Sequence, residues 1–280
     1  MTSVLSITNH DRDIAGLKYI YPVISRRAGG LSIGVNFNTN NACNWRCIYC
    51  QVPNLQRGAA PVMDLALLEE ELRFFLHYVQ QGDFLEQFDL TPEQRIIRDI
   101  AISGNGEPTS LANFEQAVEL IGQIAVETGI FPGSHFVLIT NGSLMHQPST
   151  QAGLKQLARF GGEVWFKLDS ATEQGRKRIN NSVQSQRKLL ENLQTASRLC
   201  PTKLQTCVLH FGQQTWTEEE KQAYLQLLQT IRARQIKIEK VMLYTIARPS
   251  FQPEAAQLIK AEVTEINMLA ADIEAMGFDV

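Results

Sequence analysis

Three of the five cysteines, Cys43, Cys47 and Cys50, fall within eight residues, in the run Asn40-Asn41-Ala42-Cys43-Asn44-Trp45-Arg46-Cys47-Ile48-Tyr49-Cys50. Thiolates are soft ligands suited to iron–sulfur chemistry, and a self-contained [4Fe-4S] cube uses four of them. A cube held by three leaves one iron without a protein ligand. An open coordination position is what separates a reactive metal site from a structural one. A structural zinc ion would want a fourth Cys or His at a second short spacing. Cys200 and Cys207 lie far away, and no C-x2-C or H-x3-H partner follows. A disulfide framework is disfavoured by the odd cysteine count and by Met1 to Arg12, which is polar and lacks the apolar core of an export signal. The expected compartment is the reducing cytoplasm.

Such a loop needs strands and helices to hold it. Residues 1–30 read as an N-terminal extension: a short helical piece, then Lys18 to Pro22, Ser25-Arg26-Arg27 and the pair Gly29-Gly30. Arg26 and Arg27 read as a solvated turn in preference to an anion site. Leu31 to Phe37 alternates apolar and small residues, a first-strand pattern that runs straight into the cysteines. Asp64 then caps an amphipathic helix through Val79. Residues 82–98 read as a polar insert with a short helix. Further strands are expected at residues 98–103, 136–140, 163–170, 202–210 and 236–246. Helices are expected at 111–128, 151–160, 184–199, 218–234 and, as one long closing helix, 254–276. Six strands alternating with helices give an α/β fold of repeated right-handed βαβ units, in one domain over residues 31–280. An open doubly wound sheet and a partial barrel would give the same string.

Composition narrows the class. Of 280 residues 44% are hydrophobic and 20% charged, enough for a sizeable core, and the net charge of −3 gives no global pull toward nucleic acid. No apolar run is long enough for a membrane span.

In parallel α/β folds functional groups collect at the C-terminal ends of strands, and the polar oddities of this chain fall there. Gly104-Asn105-Gly106-Glu107-Pro108 ends the second strand. Its glycines let backbone approach a ligand, although a tight turn with Glu107 near a helix N-terminus explains it too. Thr140-Asn141-Gly142 is either a turn or a ligand edge. On the fourth strand Trp165, Lys167 and Asp169 share a face by the period of two, next to Ser170. A buried Lys and Asp need each other or a ligand. Gln205 and Cys207 alternate on the fifth strand, and Tyr244 and Arg248 end the sixth. With Asn38, the residues Gln205, Tyr244 and Arg248 are candidate substrate contacts. The histidines are scattered; only His210 lies near a strand end.

The cysteine spacing with aromatic Tyr49 before Cys50 resembles the radical S-adenosylmethionine (radical SAM) signature, and Gly104 to Pro108 resembles that family's GGEP motif with Asn105 at the second glycine. The resemblance implies a partial (β/α)6 TIM-like barrel, with Cys43, Cys47 and Cys50 holding a [4Fe-4S] cluster. Its open iron would chelate SAM, and cluster reduction would cleave SAM to a 5′-deoxyadenosyl radical that takes hydrogen from a substrate. It further implies a flavodoxin- or ferredoxin-like electron donor. Tyr49, the turn Gly104-Asn105-Gly106-Glu107-Pro108, Asn141, Lys167, Asp169 and Ser170 would be cofactor contacts. The motifs look closest to the subgroup that includes wybutosine-type tRNA-modifying enzymes, but no flavodoxin-like domain, second cluster motif or basic composition accompanies them, which argues against a tRNA substrate. A glycyl-radical-enzyme activase, a tRNA-modifying member of that subgroup and a non-enzymatic Fe–S or zinc module are the alternatives.

Overall fold

A computed structural model describes Leu5 and residues 14–25, 27–212 and 216–280. The helical piece expected before Lys18 lies almost wholly outside these residues, as do His10 and Arg26. The chain builds β1 (Ile20–Ser25) and β2 (Gly30–Asn36), a two-residue pair β3 (Ala42–Cys43) and β4 (Gln56–Arg57), and α1 (Leu65–Gln81). There follow β5 (Ile97–Ser103), α2 (Phe114–Glu127), β6 (His135–Thr140), α3 (Pro148–Arg159) and β7 (Glu163–Lys167). The remainder is α4 (Glu173–Asn180), α5 (Gln186–Leu199), β8 (Thr202–Cys207), β9 (Leu209–Phe211), α6 (Glu218–Ala233), β10 (Lys240–Tyr244), β11 (Leu258–Lys260) and α7 (Val263–Ala275).

The main sheet has the order β1-β2-β5-β6-β7-β8-β10. From β2 to β10 every pairing is parallel and follows chain order, with helices between, while β1 runs antiparallel along the β2 edge. That is the partial TIM-like barrel of six parallel strands, open between its first and last strands. Side chains sort by the period of two: Leu31, Ile33 and Val35 of β2 join the large core under the helices, while Ser32 faces the lumen. Helix α1 starts where Asp64 accepts from Ala66 N at 3.1 Å and Leu67 N at 3.2 Å, and stops at Gly82, whose φ of 91° suits glycine.

Four parts differ from the sequence expectation. The residues read as an extension supply β1; Pro22 is tolerated because this strand lies at the sheet edge. An eight-residue helix, α4, fills residues for which no element was expected; Ile179 is its single aliphatic side chain, so no apolar period announced it. The expected closing helix is broken into a 3-10 turn (Ala255–Gln257), β11 and α7, because Leu258 to Lys260 pair antiparallel with β9. The fifth strand is likewise interrupted at Val208, whose N–H turns to the Tyr244 carbonyl at 2.7 Å.

Candidate active site at the barrel mouth

The cysteine loop leaves the C-terminal end of β2 and is clamped from two sides. Against the end of α4, Arg46 N donates to Asn180 O at 3.1 Å, Ile48 N to Ile179 O at 2.8 Å, and Asn181 Nδ2 to Arg46 O at 2.8 Å. From the other side Phe251 N donates to Cys50 O at 3.0 Å, and Ser250 Oγ to Ile48 O at 2.7 Å. The Arg46 guanidinium forks onto the Glu254 carboxylate at 2.8 and 2.7 Å, tying that second segment to the loop. Such redundancy fixes backbone that has no regular partner of its own.

The three thiols are unoxidised and line one cavity. Burial, helped by Glu107, pushes the Cys43 thiol up to about 12; burial pushes Cys47 up to about 11. Both stay protonated near neutrality until a metal displaces the protons. Two donors already face the sulfurs: Trp45 N lies 3.4 Å from Cys43 Sγ and Asn180 Nδ2 3.3 Å from Cys47 Sγ. Among the described residues no group of three or more His, Cys, Asp or Glu side chains is arranged around a single metal ion. A cube asks for something else, since each thiolate takes a different iron. Cys200 is an interior residue whose Sγ contacts Gly162 O at 3.3 Å, and Cys207 is fully buried on β8.

The turn after β5 packs directly on this loop. A Cβ at Gly106 would overlap the Ala42 carbonyl, and one at Gly104 (φ 144°) would overlap Asn36 Oδ1. Here the close approach explains both glycines. Glu107 is a brace: its Oε1 accepts from Thr109 N at 3.1 Å, Thr109 Oγ1 at 2.6 Å and Thr140 Oγ1 at 2.6 Å, and its Oε2 from Asn141 N at 2.6 Å. Burial raises its pKa against the opposing effect of those bonds. Pro108 opens the following 3-10 turn, and Asn105 Nδ2 donates to Asn41 Oδ1 at 2.6 Å. Asn141 Nδ2 donates to Asn44 Oδ1 at 2.8 Å, joining the β6 end to the loop.

On the β7 side the structure separates the expected residues. The Tyr49 hydroxyl and Asn180 Nδ2 both bond Asp169 Oδ2, the latter at 2.7 Å, and Cys207 N bonds Oδ1 at 3.0 Å, so Asp169 is consumed in holding the loop to β8. Lys167 makes no hydrogen bond or ion pair among the described residues; its Nζ sits 4.8 Å over the Tyr49 ring. The internal Lys–Asp ion pair is therefore absent. Burial alone would lower the Lys167 pKa, but Tyr244, Cys47, Asp169 and Cys207 together outweigh it and the net shift is upward. Ser170 lies off the cavity, bonded to Glu220 Oε2 at 2.9 Å. Asn38 also lies off it, bracing Ala42 O at 2.9 Å. His210 pairs with Glu265 at 2.9 Å, on the small β9–β11 sheet rather than at the mouth.

The cavity holds about 550 Å3 and runs from the cysteines into the lumen, past Lys167, Gln205, Tyr244 and Arg248. That volume suits a small-molecule site. Both amide atoms of Gln205 are buried with no partner among the described residues. Buried amides rarely stay orphaned, so this one has a donor and an acceptor to offer to whatever fills the cavity. Three convergent thiols, sulfur-directed donors and a glycine-lined wall fit a cluster with a small chelating cofactor. Sequence reasoning missed Asn180, carried by the unannounced α4, and Arg27, Asp99 and Ser32 of the lumen floor.

Comparison with known proteins agrees with this geometry. The Radical SAM superfamily matches residues 37–228. A UPF0026 protein of Helicobacter pylori strain 26695 is 28% identical over 231 residues, 82% of this chain and 66% of that protein. Its counterpart in strain J99 is 28% identical over 190 residues, 67% of this chain and 54% of the relative. The chain thus spans under two thirds of one relative and about half of the other. Among solved structures, a radical SAM methyltransferase from Sphaerobacter thermophilus superposes with a TM-score of 0.60 at 13% identity, covering 92% of this chain and 67% of that one. TYW1 with a lysine-pyruvate adduct bound gives 0.56 at 14%, covering 89% and 74%. These likenesses are of fold. The family match extends over more than half of the chain and takes in the cysteine loop, both wall turns and the lumen strands β5 to β8; the chain belongs to the radical SAM superfamily, whose cofactors are a [4Fe-4S] cluster and SAM.

Proposed function

We propose that the chain is a radical SAM enzyme acting on a small molecule held in its lumen. Cys43, Cys47 and Cys50 hold the cluster, and the Gly104–Glu107 wall with Asn141 borders the SAM site. Bound there, cluster and SAM would supply radical chemistry for hydrogen abstraction from the substrate. The chain's own work is to orient the reactants and keep water out.

The observation that carries this reading is the continuity of one cavity from the three thiols to the orphaned Gln205 amide. A module that merely stored a cluster would need no buried amide awaiting a partner. A glycyl-radical activase or a tRNA-modifying enzyme would have to pass a peptide loop or a flipped nucleotide into about 550 Å3. The net charge of −3 gives nucleic acid no electrostatic attraction. Electrons come from a flavodoxin- or ferredoxin-like protein, and the compartment is the cytoplasm. The test is electron paramagnetic resonance of the anaerobically reconstituted, reduced protein: SAM shifts the cluster signal if an open iron binds it, and an unchanged spectrum rejects the reading.

A further inference from the structure

The lumen floor carries a group that the cofactors leave unused. Arg27 follows β1, in the turn before β2, and was read from sequence as a solvated turn residue. It does lie in that turn and is exposed, and its guanidinium Cζ also sits 5.3 Å from the Trp165 ring centroid and 5.4 Å from that of Tyr244. Both rings and Arg27 line the same cavity as the cysteines. No carboxylate lies within ion-pair distance of Arg27 among the described residues. Ring contacts of this kind leave a guanidinium's N–H edge for other partners, the donor fork that matches a planar carboxylate with two parallel hydrogen bonds.

Two further groups along the lumen have the same character. Lys167 carries its charge with only the Tyr49 face for company. Gln205, opposite Lys167 in the β7–β8 register, offers a donor and an acceptor, both buried and both unpartnered. A cation, a second cation and a neutral amide, none with an ion-pair or hydrogen-bond partner among the described residues though Asp99 acts on Arg27 and Asp169 on Lys167 at longer range, form the complement of a small organic acid with a hydrogen-bonding group beyond its carboxylate.

Resting on the radical SAM reading for the identity of the site, we propose that the lumen floor selects a small carboxylate substrate: Arg27, beside Trp165 and Tyr244, takes the carboxylate, and Gln205 takes a neutral polar group nearer the cofactors. Arg27 is then a specificity residue. Carboxylate is favoured over phosphate because the planar fork of one guanidinium pairs with two carboxylate oxygens.

Ligand-observed NMR on the reconstituted, SAM-bound protein tests this with three probes: N-acetylglycine, its neutral amide N-acetylglycinamide, and phosphoglycolate. The acid is expected to bind at least tenfold more tightly than the amide and than the phosphate. Arg27→Met and Gln205→Leu should each weaken the acid at least tenfold, and Arg27→Lys should recover part of the loss, with SAM affinity within twofold throughout. The proposal is overturned if the amide binds as well as the acid, if phosphoglycolate binds best, or if the acid fails to bind the wild type at tens of millimolar. It is equally overturned if Arg27→Met leaves acid affinity intact or lowers SAM affinity instead. Acid binding without any SAM-dependent cluster signal would leave this site standing and reject the radical reading alone.

Discussion

The two ends of the cavity are built on opposite rules. At the mouth the functional carboxylates are saturated: Glu107 accepts four hydrogen bonds and Asp169 three. At the floor Gln205 has none among the described residues, and Arg27 rests on ring faces. A saturated network is rigid and costly to disturb; an unsatisfied buried group lowers stability until a ligand arrives. The difference teaches where each partner enters: the mouth is preorganised around a cofactor fixed in geometry, and the floor keeps its polar capacity for a substrate that comes and goes.

Mutations can break this contrast. The largest effect is expected at the thiols: Cys47→Ala should abolish cluster assembly, with iron per chain falling from about four toward background while far-UV circular dichroism is unchanged. Iron retained near four would refute the ligand assignment. Next, Glu107→Ala strands four buried donors and should cost about 4 kcal/mol, roughly 8–16 °C of Tm in a thermal melt. A loss under 2 °C would mean that the mouth is not held by Glu107.

Asp99 sharpens the picture from the floor, where it is buried with the Ser32 hydroxyl as donor. Burial lifts its pKa from 3.8 to about 6, so the folded protein holds this proton more tightly than the unfolded chain. The contribution favours folding below pH 4 and is lost as pH rises from about 4 to about 6. Asp99→Asn should therefore flatten that segment of the stability curve and stabilise the protein at pH 8 by up to about 3 kcal/mol. Destabilisation at pH 8 would contradict the assignment. The smallest effect is expected for Gln205→Leu, which removes an orphaned amide and should raise stability by about 1 kcal/mol in denaturant titration. A loss of stability there would mean that the amide is already partnered.

The chemistry of the mouth was legible because it is local. Cys43 to Cys50 and Gly104 to Pro108 are contiguous runs, and each follows a stretch read as a strand, β2 (by its alternation) and β5. The floor was not legible, because its groups meet only after the barrel curls: Arg27 precedes β2, whereas Tyr244 ends β10. No spacing encodes that encounter. Helix α4 escaped for a different reason. Its one buried aliphatic, Ile179, gives no period to read, yet it delivers Asn180 to Cys47. Lys167 ends β7 and Asp169 lies beyond the strand, where the Tyr49 hydroxyl takes its carboxylate in place of the expected lysine. Competition between partners from distant loops is invisible to a pairwise reading.

The central claim is that Cys43, Cys47 and Cys50 hold a cluster that cleaves SAM at the mouth of this lumen. Its most direct test is chromatographic quantification of 5′-deoxyadenosine after anaerobic reconstitution with iron and sulfide and addition of SAM and dithionite. The account predicts 5′-deoxyadenosine from the wild type and none above background from Cys47→Ala. A fully loaded wild-type protein that forms no 5′-deoxyadenosine, or a Cys47→Ala protein that forms as much, would contradict it.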